Sequence, residues 1–253
     1  MSLKTECLSF SYNENLVIDD INLELLPGEI VALIGPNGCG KTTLLKNISQ
    51  VLKPQKGTVY LNFLDLSRLT TKELARYMAV LEQEISTSFN FTVQEIVSLG
   101  RIAYSKLSEK NENERIVFEA MKKVDVIRYA AKSILSLSSG ERQRVWFAMA
   151  LAQKPQILIL DEPISYLDIK YQAEILKIIK TLSKDHLSIL ISMHDLNLAV
   201  QYANKVIMLK SGKIFLQGKP KDVFTKESLK TVFDINAEII KLSEEDFFIR
   251  TVK

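Results

Sequence analysis

Cysteine is scarce in this 253-residue sequence, with only Cys7 and Cys39. Two thiols cannot build a disulfide framework, and such sparing use in a long chain points to a reducing compartment. Long hydrophobic runs are missing too. No stretch approaches the roughly 18 apolar residues of a membrane span. The longest, residues 30–34 and 157–160, have the length of buried strands. The opening MSLKTECLSF has no extended apolar region, so it is not expected to act as a secretory signal. Nor is there a marked excess of either charge. Lys and Arg number 33 and Asp and Glu 30, a net charge of +3 that gives no argument for nucleic acid as a partner. There is no internal repeat, low-complexity tract or sustained heptad pattern. What is present is ordinary: 47% apolar and 25% charged residues, which excludes disordered and collagen-like chains. The length suits one large domain or two small ones with ample core.

Apolar strands and helical patterns alternate along most of the chain. Ile21, Leu23 and Leu25 alternate with polar residues, as in a half-exposed strand. Pro27-Gly28 then reads as a turn. Residues 30–34 form a continuous apolar run, as in a strand covered on both faces. Residues 42–49 continue with helical character, and residues 58–61 and 78–81 are further short strands. Between Thr92 and Gln153 the spacing becomes helical, for example at Val93, Ile96, Val97 and Leu99 and again at Val117, Met121 and Val124. The polar residues 105–113 read as a loop within this helical third. Residues 157–160, 188–192 and 206–209 return to strand character, separated by helices over 169–182 and 196–203. Strands joined by crossover helices predict an α/β fold with a mostly parallel sheet. The helical part, about residues 87–153, is expected to be a subdomain inserted between two halves of the α/β core, residues 1–86 and 154–253. The end of the chain predicts a helical stretch and a strand over residues 237–242.

Gly35-Pro36-Asn37-Gly38-Cys39-Gly40-Lys41-Thr42 matches G-x-x-x-x-G-K-[ST], between a strand and a helix as that motif requires. Glycines let the backbone curl so that successive N–H groups face an anion. The N-terminus of the following helix adds a favourable dipole. Lys41 brings a point charge to the β- and γ-phosphates, and the Thr42 hydroxyl can ligate Mg²⁺. Cys39 occupies a variable position, where a small residue is tolerated. Asp161 and Glu162 follow the apolar residues 157–160. A carboxylate at the end of a buried strand can hold Mg²⁺ through water, and its neighbour can orient or deprotonate an attacking water. His194 closes another strand, at the edge where open α/β sheets bind ligands. His186, in a Lys184-Asp185-His186 turn, reads as solvated surface.

With Leu137-Ser138-Ser139-Gly140-Glu141 added, nearly the whole chain resembles the nucleotide-binding subunit of ATP-binding cassette (ABC) transporters. The resemblance implies a P-loop NTPase (RecA-like) core, an N-terminal antiparallel β part and a helical subdomain, in a single cassette. It also implies roles. Residues 35–42 and Thr43 cradle ATP, and Tyr12, 29 residues before Lys41, stacks on adenine. Gln83 resembles the Q-loop glutamine, which senses Mg²⁺ and the attacking water. Residues 137–141 resemble the signature motif, in which Ser138, Ser139, Gly140 and Glu141 meet phosphate. Asp161 resembles the Walker B aspartate, Glu162 the catalytic glutamate, residues 165–168 the D-loop and His194 the switch histidine. Two positions depart from the family pattern: Ser139 stands where glycine is usual, and Ile164 where Thr or Ser is usual.

Met193-His194-Asp195-Leu196-Asn197-Leu198-Ala199 is similar to a segment of iron-siderophore, haem and cobalamin importers. So are residues 165–169 with Gln172, and residues 92–101. The resemblance therefore implies an ATPase that energises uptake of a metal chelate. Its expected partners are a second copy in an ATP-bound head-to-tail homodimer, a polytopic permease, and indirectly an extracytoplasmic substrate-binding protein. The expected place is the cytoplasmic face of the membrane, peripheral through the permease. Residues 84–91, with Phe89 and Phe91, are candidates for a groove that receives a permease helix. An importer ATPase for zinc, manganese, molybdate or organic solutes is the near alternative. A soluble ABC ATPase of DNA repair or translation fits less well, because the chain has one cassette and no long coiled coil. A kinase or GTPase sharing the phosphate loop is opposed by the signature segment and His194.

Overall fold

The computed structural model describes residues 2–83, 89–104, 110–165, 167–243 and 246–252. The chain forms two compact units, Met1–Arg68 with Ser188–Lys253, and Leu69–Leu187.

In the first unit, Leu3–Tyr12 pairs antiparallel with both Asn15–Ile21 and Lys56–Leu61, and Leu64–Asp65 extends the sheet. The expected strand through Ile21, Leu23 and Leu25 is instead two pieces. One strand ends at Ile21, and Glu24–Leu25 pairs separately with Leu3 and Lys4. Thr5 explains the break. Its buried hydroxyl donates to the Ile21 carbonyl at 2.8 Å and accepts the Leu23 N–H at 3.1 Å. These bonds satisfy backbone groups that would otherwise need a ladder partner.

A second sheet in this unit runs in the order Lys213–Gly218, Lys205–Lys210, Ile30–Ile34, Ser188–Ser192. The last three strands are parallel, with Val31 opposite Lys205 on one side and Leu190 on the other. Every residue of Ile30–Ile34 and of Ser188–Ser192 is buried. That two-sided burial is why these strands read as unbroken apolar runs. Each buried Ile, Leu or Val contributes about 1.5–3 kcal/mol of hydrophobic stabilisation. The end of the chain has helices Pro220–Val223 and Lys226–Phe233 and a hairpin of Asn236–Lys241 with Phe247–Val252. Its second strand has no counterpart in the sequence reading. Asn197 clamps that strand: its Oδ1 accepts the Ile249 N–H at 2.8 Å and its Nδ2 donates to the Ile249 carbonyl at 3.2 Å.

In the second unit, Met78–Leu81 and Ile157–Leu160 pair in parallel, Leu81 opposite Leu160. Helices Val93–Leu99, Lys110–Lys123 and Ser139–Ala152 pack together, and Ile169–Lys184 follows. Residues 110–113, expected in a loop, begin a helix, and residues 105–109 lie outside the described residues. Arg101 is buried with its charge paired to dipoles. It donates to the Ala152 carbonyl and to Asn113 Oδ1, both at 2.8 Å, and its guanidinium lies 3.9 Å from the Tyr104 ring centroid. The Ala152 bond satisfies a helix-terminal carbonyl that has no intrahelical partner. Among the described residues, no helix is long and apolar enough to cross a membrane.

Candidate functional site

The phosphate loop leaves the C-terminal end of the buried strand Ile30–Ile34 and enters the helix Lys41–Ile48. Gly40 caps that helix at φ 104°, a left-handed conformation that side chains rarely adopt. Lys41 is only 6% exposed. Its Nζ donates to the Gly35 carbonyl at 2.8 Å and to the Pro36 carbonyl at 3.2 Å, so the ammonium lies along the inside of the loop. These neutral acceptors hold the charge where a phosphate oxygen would bind it more strongly. The Thr42 side chain is exposed and available to a ligand, while Thr43 is buried. Cys39 is buried, and burial pushes its thiol pKa up, which keeps it protonated and unreactive.

His194 joins the same edge. The register sets Leu33 beside Ser192, and the Met193 N–H donates to the Leu33 carbonyl at 3.1 Å. The exposed His194 therefore follows directly where the neighbouring strand turns into the phosphate loop. Asp195 caps the next helix by accepting the N–H groups of Asn197 and Leu198. Tyr12 stands at the end of its strand, 47% exposed, with its ring edge-on to Phe10 at 4.9 Å. The side chain is thus partly packed and partly exposed.

In the second unit, the segments that follow the parallel pair bring Gln83, Glu162 and Ser165 together. Asp161 is buried and its N–H continues the ladder to the Leu81 carbonyl at 2.9 Å. Gln83 lies two residues beyond Leu81, and its Nε2 donates to Glu162 Oε2 at 2.8 Å. The Ser165 hydroxyl donates to the same oxygen at 3.1 Å. Glu162 itself has φ 47° and precedes Pro163. A left-handed non-glycine residue costs on the order of 1–3 kcal/mol, so the surroundings must hold it there. Bonds around it do so. The Ser165 N–H donates to the Glu162 carbonyl at 3.2 Å, and Gln143 Nε2 donates to the Pro163 carbonyl at 3.0 Å. Gln172 Nε2 donates to the carbonyls of Ile164 and Leu167 at 3.3 and 3.1 Å, which gives that glutamine a structural purpose. Ile164 is buried, so its side chain serves packing rather than hydrogen bonding. Tyr166, within residues 165–168, lies outside the described residues.

Ser138 caps the helix Ser139–Ala152 in a capping box. Its hydroxyl accepts the Glu141 N–H at 3.3 Å and donates to Glu141 Oε2 at 3.0 Å, while its own N–H donates to that oxygen at 2.9 Å. The Tyr129 hydroxyl donates to Glu141 Oε1 at 2.6 Å. That bond, with the Ser138 N–H, holds the Glu141 pKa down at about 2. Ser139 is the first helical residue and is absent from the residues with positive φ. A serine there is geometrically ordinary. Gly140 is needed for a different reason: a methyl group on it would stand 2.5 Å from the Tyr171 ring. Tyr129, Gln143 and Tyr171 escaped the sequence reading. The only hint was Tyr171 three residues after Asp168, whose carboxylate accepts the Tyr171 N–H at 3.0 Å.

Phe89, 68% exposed, lies with its ring centroid 5.8 Å from that of Phe91, which is also exposed. Residues 84–88 of the expected groove lie outside the described residues.

The ABC transporter family model matches residues 18–165. The iron(3+)-hydroxamate import ATP-binding protein FhuC of Bacillus subtilis is 41% identical over 244 residues, covering 94% of this chain and 90% of that protein. A solved chain from an inward-facing ABC transporter assigned to the metal-chelate type superposes with a TM-score of 0.85 at 26% identity, over 99% of this chain and 96% of that one. The ATP-binding cassette MJ0796, solved as a dimer in a post-hydrolysis state with ADP and Pi, gives a TM-score of 0.75 at 28% identity, over 86% of this chain and 98% of that one. On the match to the family model and this identity to its relatives, the chain belongs to the ABC transporter family, as one of its ATP-binding and ATP-hydrolysing cassettes.

Proposed function

We propose that the chain powers import of an iron–siderophore or related metal chelate, by binding and hydrolysing ATP on the cytoplasmic face of a membrane permease. The likeness to FhuC supports that substrate class over zinc, manganese or molybdate. An extracytoplasmic binding protein delivers the chelate to the permease. The observation that carries the reading is the arrangement around Glu162, where Gln83 and Ser165 converge on one carboxylate oxygen at the end of a buried parallel pair.

Lys41 and the loop amides of residues 35–43 bind the phosphates, and Tyr12 offers its ring to the adenine. Thr42 and Asp161 carry the oxygen donors that Mg²⁺ prefers, and Thr42 is exposed to receive it. Bound there, the ion would neutralise charge developing on the phosphates. Glu162 accepts a proton from the attacking water, and Gln83 orients that water once it leaves the carboxylate. His194 donates to the γ-phosphate oxygens as they gain charge. In a two-fold homodimer, Ser138–Glu141 of one copy close on the ATP held by the other, because a capped helix N-terminus is an anion site. Phe89 and Phe91 form part of the surface that receives a permease helix.

Glu162→Gln tests the chemistry. ATP binding persists, the dimer accumulates with Mg-ATP, and turnover falls by about 10²-fold or more, the usual worth of a general base. Unchanged hydrolysis would remove Glu162 from that role. Uptake of radiolabelled ferric hydroxamate by cells expressing the chain with its permease tests the substrate. Transport of zinc or molybdate in its place would redirect the assignment.

A further inference from the structure

One aromatic ring and one amide join the signature helix to the loop that carries Glu162, within the second unit. Gly140 is packed so closely on Tyr171 that an added methyl group would lie 2.5, 2.6 and 2.8 Å from Cγ, Cδ1 and Cδ2 of the ring. Four residues on, one helical turn further along the same face, the Arg144 guanidinium lies 5.8 Å from the Tyr171 ring centroid. Arg144 is buried and held by Glu174 at 3.4 Å and Asp125 at 3.8 Å. The ring is thus seated on the Gly140–Arg144 face of the signature helix. Its backbone belongs to the other partner. The Tyr171 N–H donates to the Asp168 carboxylate, and the adjacent Gln172 stitches the carbonyls of Ile164 and Leu167. A second tie runs in parallel, from Gln143 on the signature helix to the Pro163 carbonyl, directly after Glu162.

We propose that Tyr171, seconded by Gln143, is a positioning residue that makes the signature turn and the Glu162 loop move as one piece. This rests on the head-to-tail dimer proposed above, in which Ser138 and Gly140 serve one nucleotide and Glu162 serves the other. Under that arrangement, closing the signature turn on the partner's γ-phosphate reaches Glu162 of the same chain through close-packed and hydrogen-bonded contacts, which resist compression. The two ATP sites then act in concert. The tie requires the tyrosine ring alone, not its hydroxyl.

The test is the ATP dependence of hydrolysis by the full-length chain. With two sites the Hill coefficient cannot exceed the number of sites. Wild type is expected clearly above one, Tyr171→Ala close to one, and Tyr171→Phe at the wild-type value. Gln143→Ala is expected between them. Binding of a fluorescent ATP analogue to the monomer stays unchanged in all four proteins, because the phosphate loop is untouched. A folded Tyr171→Ala with wild-type cooperativity overturns the proposal, as does a wild type with a Hill coefficient of one. If Tyr171→Ala does not fold, Gln143→Ala decides: a reduced coefficient supports the tie and an unchanged one overturns it. Sedimentation of Glu162→Gln with Mg-ATP separates the two layers of inference. A dimer that forms while Tyr171→Ala stays cooperative sinks the tie alone, whereas no dimer at all sinks the arrangement beneath it and the tie with it.

Discussion

Gly140→Ala adds one methyl group to a place already filled by the Tyr171 ring. The new carbon would stand 2.5 Å from Cγ and 2.6 and 2.8 Å from the two Cδ atoms. Carbon atoms settle about 3.5–4.0 Å apart, so the overlap is about 1 Å and falls on the inner atoms of the ring. Those atoms cannot swing aside as the tip of a long side chain would. Overpacking of this kind costs about 1–3 kcal/mol. Alanine recovers at most about 1 kcal/mol through its helix propensity, and less at the second helical position than in a helix interior. The expected net loss is about 1–2 kcal/mol, read as a lower urea midpoint or a Tm lower by several degrees. The deciding assay is the same substitution in a Tyr171→Ala background. There the methyl group has room, so the penalty should vanish or reverse, a coupling of about 1–3 kcal/mol between the two sites. An equal penalty in both backgrounds would show that Gly140 is needed for some reason other than the ring.

Three further substitutions probe the remaining structure. Ser139→Gly, which restores the residue usual in the family, should lower stability by about 0.5 kcal/mol and leave hydrolysis within about twofold, because Ser139 already sits in an ordinary helical turn; a large gain in turnover would mean that the serine distorts the motif. Tyr129→Phe removes the bond chiefly responsible for the low Glu141 pKa. A depressed carboxylate pKa stabilises the fold above the unfolded value of about 4.3, and that contribution fades as pH falls towards about 2. In the variant that contribution should be smaller and should be exhausted at a higher pH, because the folded pKa moves back towards the unfolded one, as followed by NMR titration of the Glu141 carboxyl carbon; an unmoved titration would assign the shift to the Ser138 contacts. Asn197→Ala breaks both bonds to Ile249, so hydrogen exchange over residues 247–252 should accelerate by about an order of magnitude, corresponding to about 1–2 kcal/mol; unchanged exchange would mean that hairpin pairing alone fixes the strand.

The strands that were legible from composition are those with one simple cause. Ile30–Ile34, Met78–Leu81, Ile157–Leu160 and Ser188–Ser192 are parallel strands, almost wholly buried, and only continuous apolar residues satisfy that environment. Their bounds could be read to the residue. The break after Ile21 has a remote cause, the hydroxyl of Thr5 sixteen residues earlier, and no local pattern signals it. Phe247–Val252 likewise owes its extended form to Asn236–Lys241 and to the Asn197 clamp, while its own sequence, FFIRTV, carries too few residues for a decisive period. Helix Lys110–Lys123 begins inside a run of Lys, Asn and Glu that reads as loop, because its buried residues start only at Ile116.

The site divides along the same line. Phosphate chemistry constrains residue types strongly, so Lys41, Thr42, Asp161, Glu162 and His194 stand out wherever they follow apolar strands. The backbone that presents them is constrained by neighbours instead. Nothing local announces that Glu162 adopts φ 47°; Gln143 and Ser165 are among the groups that hold it, and Gln143 lies on the helix Ser139–Ala152. Gly140 shows that a residue singled out for one reason can be required for another. A glycine in an anion-binding turn is naturally explained by close approach of phosphate to the backbone, and that explanation predicts tolerance of alanine wherever the ligand face is clear. The Tyr171 ring covers the place a Cβ would take, so alanine is penalised there before any ligand arrives. Ser139, whose helical φ leaves a side chain unopposed by the backbone, is the complementary case. The two adjacent positions therefore differ in what they tolerate because a tyrosine thirty-one residues away packs on one of them, and it is that packing, rather than the motif, which decides where the glycine must be.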